Sequence, residues 1–158
     1  MRLFRHKPLP KRLSRLQALS LFATLDAREL RLVEGLLHER EFLAGEVIFD
    51  AGEEGQAIYI IQEGQVKICR QGEPESGRIA ELGAGQFFGE LALLDNAPRA
   101  LQALADTPCR ISVMFRADLL NLLETDARAA SKIALQLARH LGRLVRGAAA
   151  GTPVGVRL

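Results

Sequence analysis

Between residues 39 and 115 short apolar runs alternate with polar punctuation. FLAGEVIF, AIYIIQ, QVKICR, RIAEL, ALQALA and CRISVMF are separated by GEEG, EGQ, QGEPESG, GAG and DTP. Alternation at period two, broken at short intervals by Gly, Asp and Pro, predicts a succession of short strands. Such a succession closes as a β-sandwich, a jelly roll or a barrel. EGQ predicts a tight reversal centred on Gly64, and QGEPESG an exposed hairpin tip.

The flanks have helical spacing. Residues 14–38 carry Leu and Val three and four apart, in SRLQALSLFATL and DARELRLVEGLLH. Asp26, with Glu29 three positions on, predicts an N-cap closed by a capping box. Residues 116–146 hold a short helical stretch, RADLLNLLE, and a long one, DARAASKIALQLARHLGRLVR, with Asp126 as its N-cap. Ala130, Ala134, Leu137, Leu141 and Leu144 form a heptad-like seam. A helix with that seam packs either on its own sandwich or against its twin in a dimer. The fold expected is mainly β, with N-terminal helices and a long C-terminal helix.

Composition fits one domain: 158 residues, 48% of them apolar. Aromatics are 5%, so the core is built from Leu, Ile, Val and Ala. The net charge of +2 is unevenly spread. Arg2, Arg5, Lys7, Lys11, Arg12 and Arg15 fall in the first fifteen residues without an acid, and the other 15 basic residues face 19 acidic ones. The boundaries expected are a basic arm over 1–15, a folded domain over 16–146 and a small-residue tail over 147–158. The arm is either a solvated terminus or a surface for an acidic partner, nucleic acid or anionic lipid. Arg28 and Arg31 are balanced by Glu29 and Glu34, so the N-terminal helices offer no basic face, and no specific DNA binding is expected.

Several chemistries lack their residues. Cys69 and Cys109 lie in separate strand-like runs without metal-ligand spacing; they read as reduced core thiols, as in a cytoplasmic protein. His6, His38 and His140 have no nucleophile and orienter beside them, and no GxGxxG or P-loop lysine is present. No apolar run reaches the roughly 18 residues of a membrane span. The reading is of a non-enzymatic protein with neither metal nor cofactor.

One stretch carries chemistry: FGELALLDNAPRALQAL, residues 88–104. Gly83, Gly85 and Gly89 permit close backbone approach. ELALL after Gly89 is long enough for one helical turn, whose first N–H groups and partial positive charge suit an anion. Arg99, expected to start the next strand, has a planar fork that matches two phosphate oxygens. Glu90 would repel a phosphate but accept from sugar hydroxyls. Cradle, fork and acceptor together describe a phosphorylated sugar, with apolar neighbours as walls for a base. The alternative is a buried Glu90–Arg99 ion pair that merely closes the roll.

FGELALLDNAPRALQALA resembles the phosphate-binding cassette of cyclic nucleotide-binding domains, found in the catabolite activator protein and in protein kinase A regulatory subunits. The resemblance runs from about residue 18 to 146. It implies a jelly roll, with cAMP or cGMP as regulatory ligand. Glu90 would accept from the ribose 2′-hydroxyl, Arg99 would pair with the cyclic phosphate, and Gly89 with the backbone around Leu91 and Ala92 would complete the cradle. Threonine often follows the arginine in cGMP-preferring members; Ala100 stands there, which leans to cAMP.

The pattern also departs from the family. Where the family often reads Arg-Ala-Ala-Thr or Arg-Ala-Ala-Ser, this chain has Arg99-Ala100-Leu101-Gln102, and Leu144-Val145 aligns with a polar adenine-contacting pair. A ligand-free scaffold domain with a degenerate pocket therefore stays open. About a dozen residues follow the long helix, where the activator family continues with a helix-turn-helix. The expectation is a stand-alone receptor module, or else a truncated transcription regulator. Its signal would leave through an effector protein or a homodimer formed by residues 116–146.

Overall fold

The computed structural model describes residues 8–151. Residues 1–7 of the expected arm and 152–158 of the expected tail lie outside the described residues. Helix α1 (Lys11–Gln17) begins inside the stretch expected to be an arm and buries Leu13 and Leu16, one helical turn apart. The expected helical block 14–38 is in fact divided. A single 3-10 turn at Ser20–Phe22 separates α1 from α2 (Ala27–Leu36), and His38 already belongs to the first strand. Alternative hydrogen bonding explains the break: Gln17 donates from its side chain to the Leu25 carbonyl, and Leu21, Phe22 and Leu25 turn inward together.

The capping box forms as expected. Asp26 accepts from the Glu29 amide and Glu29 from the Asp26 amide, each at 2.8 Å. Glu29 is also fully buried, and Lys132 reaches it at 2.7 Å.

Eight strands follow: β1 (His38–Phe42), β2 (Val47–Phe49), β3 (Ala57–Glu63), β4 (Val66–Cys69), β5 (Arg78–Leu82), β6 (Phe87–Phe88), β7 (Gln102–Ala105) and β8 (Cys109–Phe115). They form two four-stranded antiparallel sheets, ordered β1-β8-β3-β6 and β2-β7-β4-β5. This is a jelly roll. Gly64 sits at a φ of 97° in the β3–β4 reversal, where a Cβ would meet the Pro108 carbonyl at 2.4 Å. The 71–76 tip between β4 and β5 is exposed.

The core has two parts. Ala57, Ile61, Val66, Ile68, Phe88, Ala103, Ile111 and Val113 fill the roll. Ile58, Ile60, Phe87 and Met114 face the other way, against Leu21, Phe22, Leu30, Val33 and the C-terminal helices. Strand β3 is therefore covered on both faces, which is why AIYIIQ reads as a nearly continuous apolar run. Cys69 and Cys109 are free and buried, and burial pushes both thiols up.

Helices α3 (Arg116–Thr125) and α4 (Ala127–Ala149) close the chain. Asp126 caps α4 through the Ala129 amide, at 3.1 Å, and takes Arg28 at 2.7 Å. The Arg28–Asp126 and Glu29–Lys132 contacts tie the starts of α2 and α4 together. The buried stripe of α4 is Ala129, Ala130, Ile133, Leu137 and His140. It departs from the expected seam: Ala134 is exposed, Leu141 and Leu144 are half-buried, and Ile133 and His140 take inward positions. The helix lies on its own domain there, against α3, the Ser20–Phe22 turn and, through His140, Phe87 and Glu90. No helix among the described residues is long and apolar enough to cross a membrane.

Candidate functional site

Gly89 ends β6 and begins the site. Its φ is 74°, in the left-handed region. A Cβ there would stand 2.7 Å from Nη1 of Arg99 and 3.3 Å from the Ala57 carbonyl. Glycine is required twice over, for conformation and for space. The turn that follows, Glu90–Leu93, is a 3-10 helix of four residues rather than an α-helix. It is too short for a macrodipole, so an anion there would meet individual N–H groups. Gly83 and Gly85, read with Gly89 as permitting close backbone approach, lie in the β5–β6 turn: a Cβ on Gly83 would meet the Gln65 side chain, and one on Gly85 would meet nothing within 4 Å.

Arg99 precedes β7 by three residues, so it does not start that strand. Its backbone is clamped to the opposite loop: its amide donates to the Glu53 carbonyl and its carbonyl accepts from the Gly52 amide, both at 2.7 Å. The side chain is 7% exposed. Nη2 donates to the Ala57 carbonyl at 2.8 Å and Nη1 to the Gly89 carbonyl at 3.1 Å. The guanidinium lies 4.3 Å from the Phe49 ring centre and 5.6 Å from that of Tyr59. Among the described residues no carboxylate comes within 4.0 Å of it. Burial pulls the guanidinium below its ordinary pKa, and Tyr59, Glu53 and Glu90 only partly oppose this. Held by two backbone carbonyls and an aromatic face, this buried cation has no carboxylate in direct contact among the described residues, a costly arrangement in a low-dielectric interior.

Glu90 is 0% exposed. Its Oε1 lies 3.2 Å from Nε2 of His140 on α4, and its Oε2 is buried without a partner among the described residues. The Glu90–Arg99 ion pair weighed as the alternative is not formed; each residue has other partners. His140, which offered no chemistry in the sequence, packs its ring on Phe87 with centroids 4.5 Å apart.

Leu91, Ala92, Arg99 and Ala100 line one cavity of about 130 Å³, together with Asp95, Ala97 and Pro98. Gly89 and Glu90 lie beside it in the chain without lining it. The cavity is small, with Arg99 and Asp95 as the charged residues of its lining; whole ligand pockets are larger, about 300 Å³ upward. Two larger cavities, of about 310 and 540 Å³, open elsewhere. Neither contains a cassette residue, and the arginines on them are exposed or paired with carboxylates.

Sequence reasoning missed Gly55, where a Cβ would meet that of Ala92 at 2.7 Å. The glycine of GEEG was its only signal. Gln102 turns away from the cavity: Nε2 donates to Asp50 at 2.7 Å and Oε1 accepts from the Gly72 amide at 3.3 Å. Leu101 packs against the interior of the roll. Leu144 is half-buried, and Val145 is 69% exposed.

Known proteins share this architecture. The family profile of the cyclic nucleotide-binding domain matches residues 39–126. A cyclic AMP receptor protein of Thermus thermophilus is 34% identical over 77% of this chain and 56% of its own length. A cAMP-dependent protein kinase regulatory subunit of Yarrowia lipolytica is 38% identical over 64% of this chain. The match covers 27% of that subunit, so the chain corresponds to part of each relative. The crystal structure of a cyclic nucleotide-binding domain from Methylobacillus flagellatus superposes with a TM-score of 0.76 at 22% identity, over 86% of this chain and 79% of that one; it bears on the fold alone. With the profile covering more than half its length and the jelly roll formed around the cassette, the chain belongs to the cyclic nucleotide-binding domain family.

Proposed function

We propose that the protein is a non-enzymatic receptor module for a cyclic nucleotide, with cAMP preferred to cGMP. The observation that carries this is Arg99, a buried guanidinium without a carboxylate partner beside a small cavity. A cyclic phosphate supplies the missing charge, and a planar fork suits two of its oxygens. Gly89, Leu91 and Ala92 supply backbone around the phosphate, Glu90 accepts from the ribose 2′-hydroxyl, and Ala100 borders the cavity with no hydroxyl for a guanine amino group. The relatives from Thermus, a cyclic AMP receptor protein, and Yarrowia, a cAMP-dependent protein kinase regulatory subunit, favour cAMP.

Signalling follows from linkage: a ligand biases only a conformation that it binds better. The cassette touches α4 through Glu90 and His140, so a ligand that draws the cassette inward re-packs α3 and α4 onto an effector protein or a dimer mate. Calorimetric titration of the folded protein with cAMP and with cGMP tests the reading. Micromolar binding, about −8 kcal/mol, is expected for cAMP and weaker binding for cGMP. Heat from neither would leave a scaffold domain.

A further inference from the structure

The cassette does not account for His140. The stripe that it completes on α4, Ala129, Ala130, Ile133 and Leu137, is otherwise apolar, and a leucine at this position would continue the packing. An imidazole there carries a polar cost that an apolar side chain avoids. What it gains is one contact, Nε2 to Oε1 of Glu90 at 3.2 Å, in a site where His140 is 7% and Glu90 0% exposed. The other carboxylate oxygen, Oε2, is buried and has no partner among the described residues. Buried carboxylate oxygens are ordinarily satisfied, and one left free at a candidate binding site calls for a donor.

We infer that His140 is a positioning residue for the ligand hydroxyl. It donates from Nε2 to Oε1, fixes the rotation of the Glu90 carboxylate, and leaves Oε2 as the acceptor for the ribose 2′-hydroxyl. This rests on the receptor reading above and adds a residue to it. It also makes the grip on the sugar depend on α4, because the orienting group rides on that helix. Phe87 packs on the imidazole, with ring planes at 49°.

The test compares cAMP with 2′-deoxy-cAMP on the full chain. His140→Leu keeps the packing and removes the donor. It should weaken cAMP by about tenfold, the effect of one hydrogen bond to a charged group, and change 2′-deoxy-cAMP by less than about twofold. His140→Gln, which keeps a donor, should restore cAMP affinity to within about threefold of the parent. Equal losses for both nucleotides in His140→Leu would mean that the histidine serves only helix packing, and no loss for either would remove its role altogether; both overturn the inference. If the leucine variant does not fold, His140→Gln against the shorter His140→Asn carries the same comparison, with the asparagine expected to lose cAMP selectively.

The receptor reading fails separately, in the parent protein, if neither cAMP nor cGMP binds. The pairing is then checked without ligand by the imidazole ¹⁵N resonances of His140. A shift on Glu90→Gln supports the contact, and unchanged resonances overturn it.

Discussion

Residue 89 and the Arg99 side chain share a space that only glycine leaves open: a Cβ at 89 would lie 2.7 Å from Nη1. The guanidinium cannot simply swing aside, because it is bonded to the Ala57 carbonyl and faces Phe49. Gly89→Ala combines that crowding with a left-handed backbone. It should lower stability by about 1–3 kcal/mol and weaken cyclic nucleotide binding by about tenfold or more. Thermal denaturation and calorimetry measure the two effects; an unchanged affinity would mean that the guanidinium does not meet the ligand.

Arg99→Ala removes the buried cation. Binding should fall by two charge-assisted hydrogen bonds, about 3–6 kcal/mol, beyond most calorimetric detection. The melting temperature without ligand should change little, because lost packing is offset by relief from burying an unpaired charge. Arg99→Lys should not rescue binding, since an ammonium cannot reproduce the fork. Undiminished affinity in the alanine variant would show that the phosphate sits elsewhere.

Gln102 stands where the family often has a hydroxyl residue, yet it bonds Asp50 and the Gly72 amide, away from the cavity. Gln102→Ala should cost about 1–2 kcal/mol of stability and leave nucleotide affinity within about twofold. A selective loss of affinity at unchanged stability would place Gln102 in the pocket.

Acid should weaken the helix clamps. Arg28, and then the Ala129 amide, hold Asp126 below its ordinary carboxyl range, and the Glu29 amide does the same for Asp26. A folded pKa below the unfolded one means stability that is present above the unfolded value, about 3.9, and is lost as pH falls through the folded one. The melting temperature should therefore drop below about pH 4, and Asp126→Asn should show a shallower drop. Parallel acid profiles for parent and variant would exclude this contribution.

Much of the fold was legible because its signals are local. Alternation marked β2, within FLAGEVIF, and β3, β4, β5, β7 and β8; Asp26 with Glu29 marked the start of α2, and Asp126 that of α4. Two strands left no such trace. Strand β1, HEREF, is largely exposed, and β6 is two residues long, too short to alternate. The helical seam was displaced because 3.6-residue periodicity tolerates neighbouring faces, and only packing against the N-terminal turn, α3 and the cassette selects which one is buried.

The sequence by itself determined the elements of the cassette: a glycine that permits close backbone approach, a one-turn helix, an arginine behind a proline and a carboxylate at the turn. Tertiary structure decided what those groups touch. The Ala57 carbonyl reaches Arg99 across 42 residues, and His140 reaches Glu90 across 50. A backbone carbonyl has no residue code, and a histidine on an apolar stripe has no periodic signature. Such partners are chosen only when the roll closes and α4 comes to rest upon it.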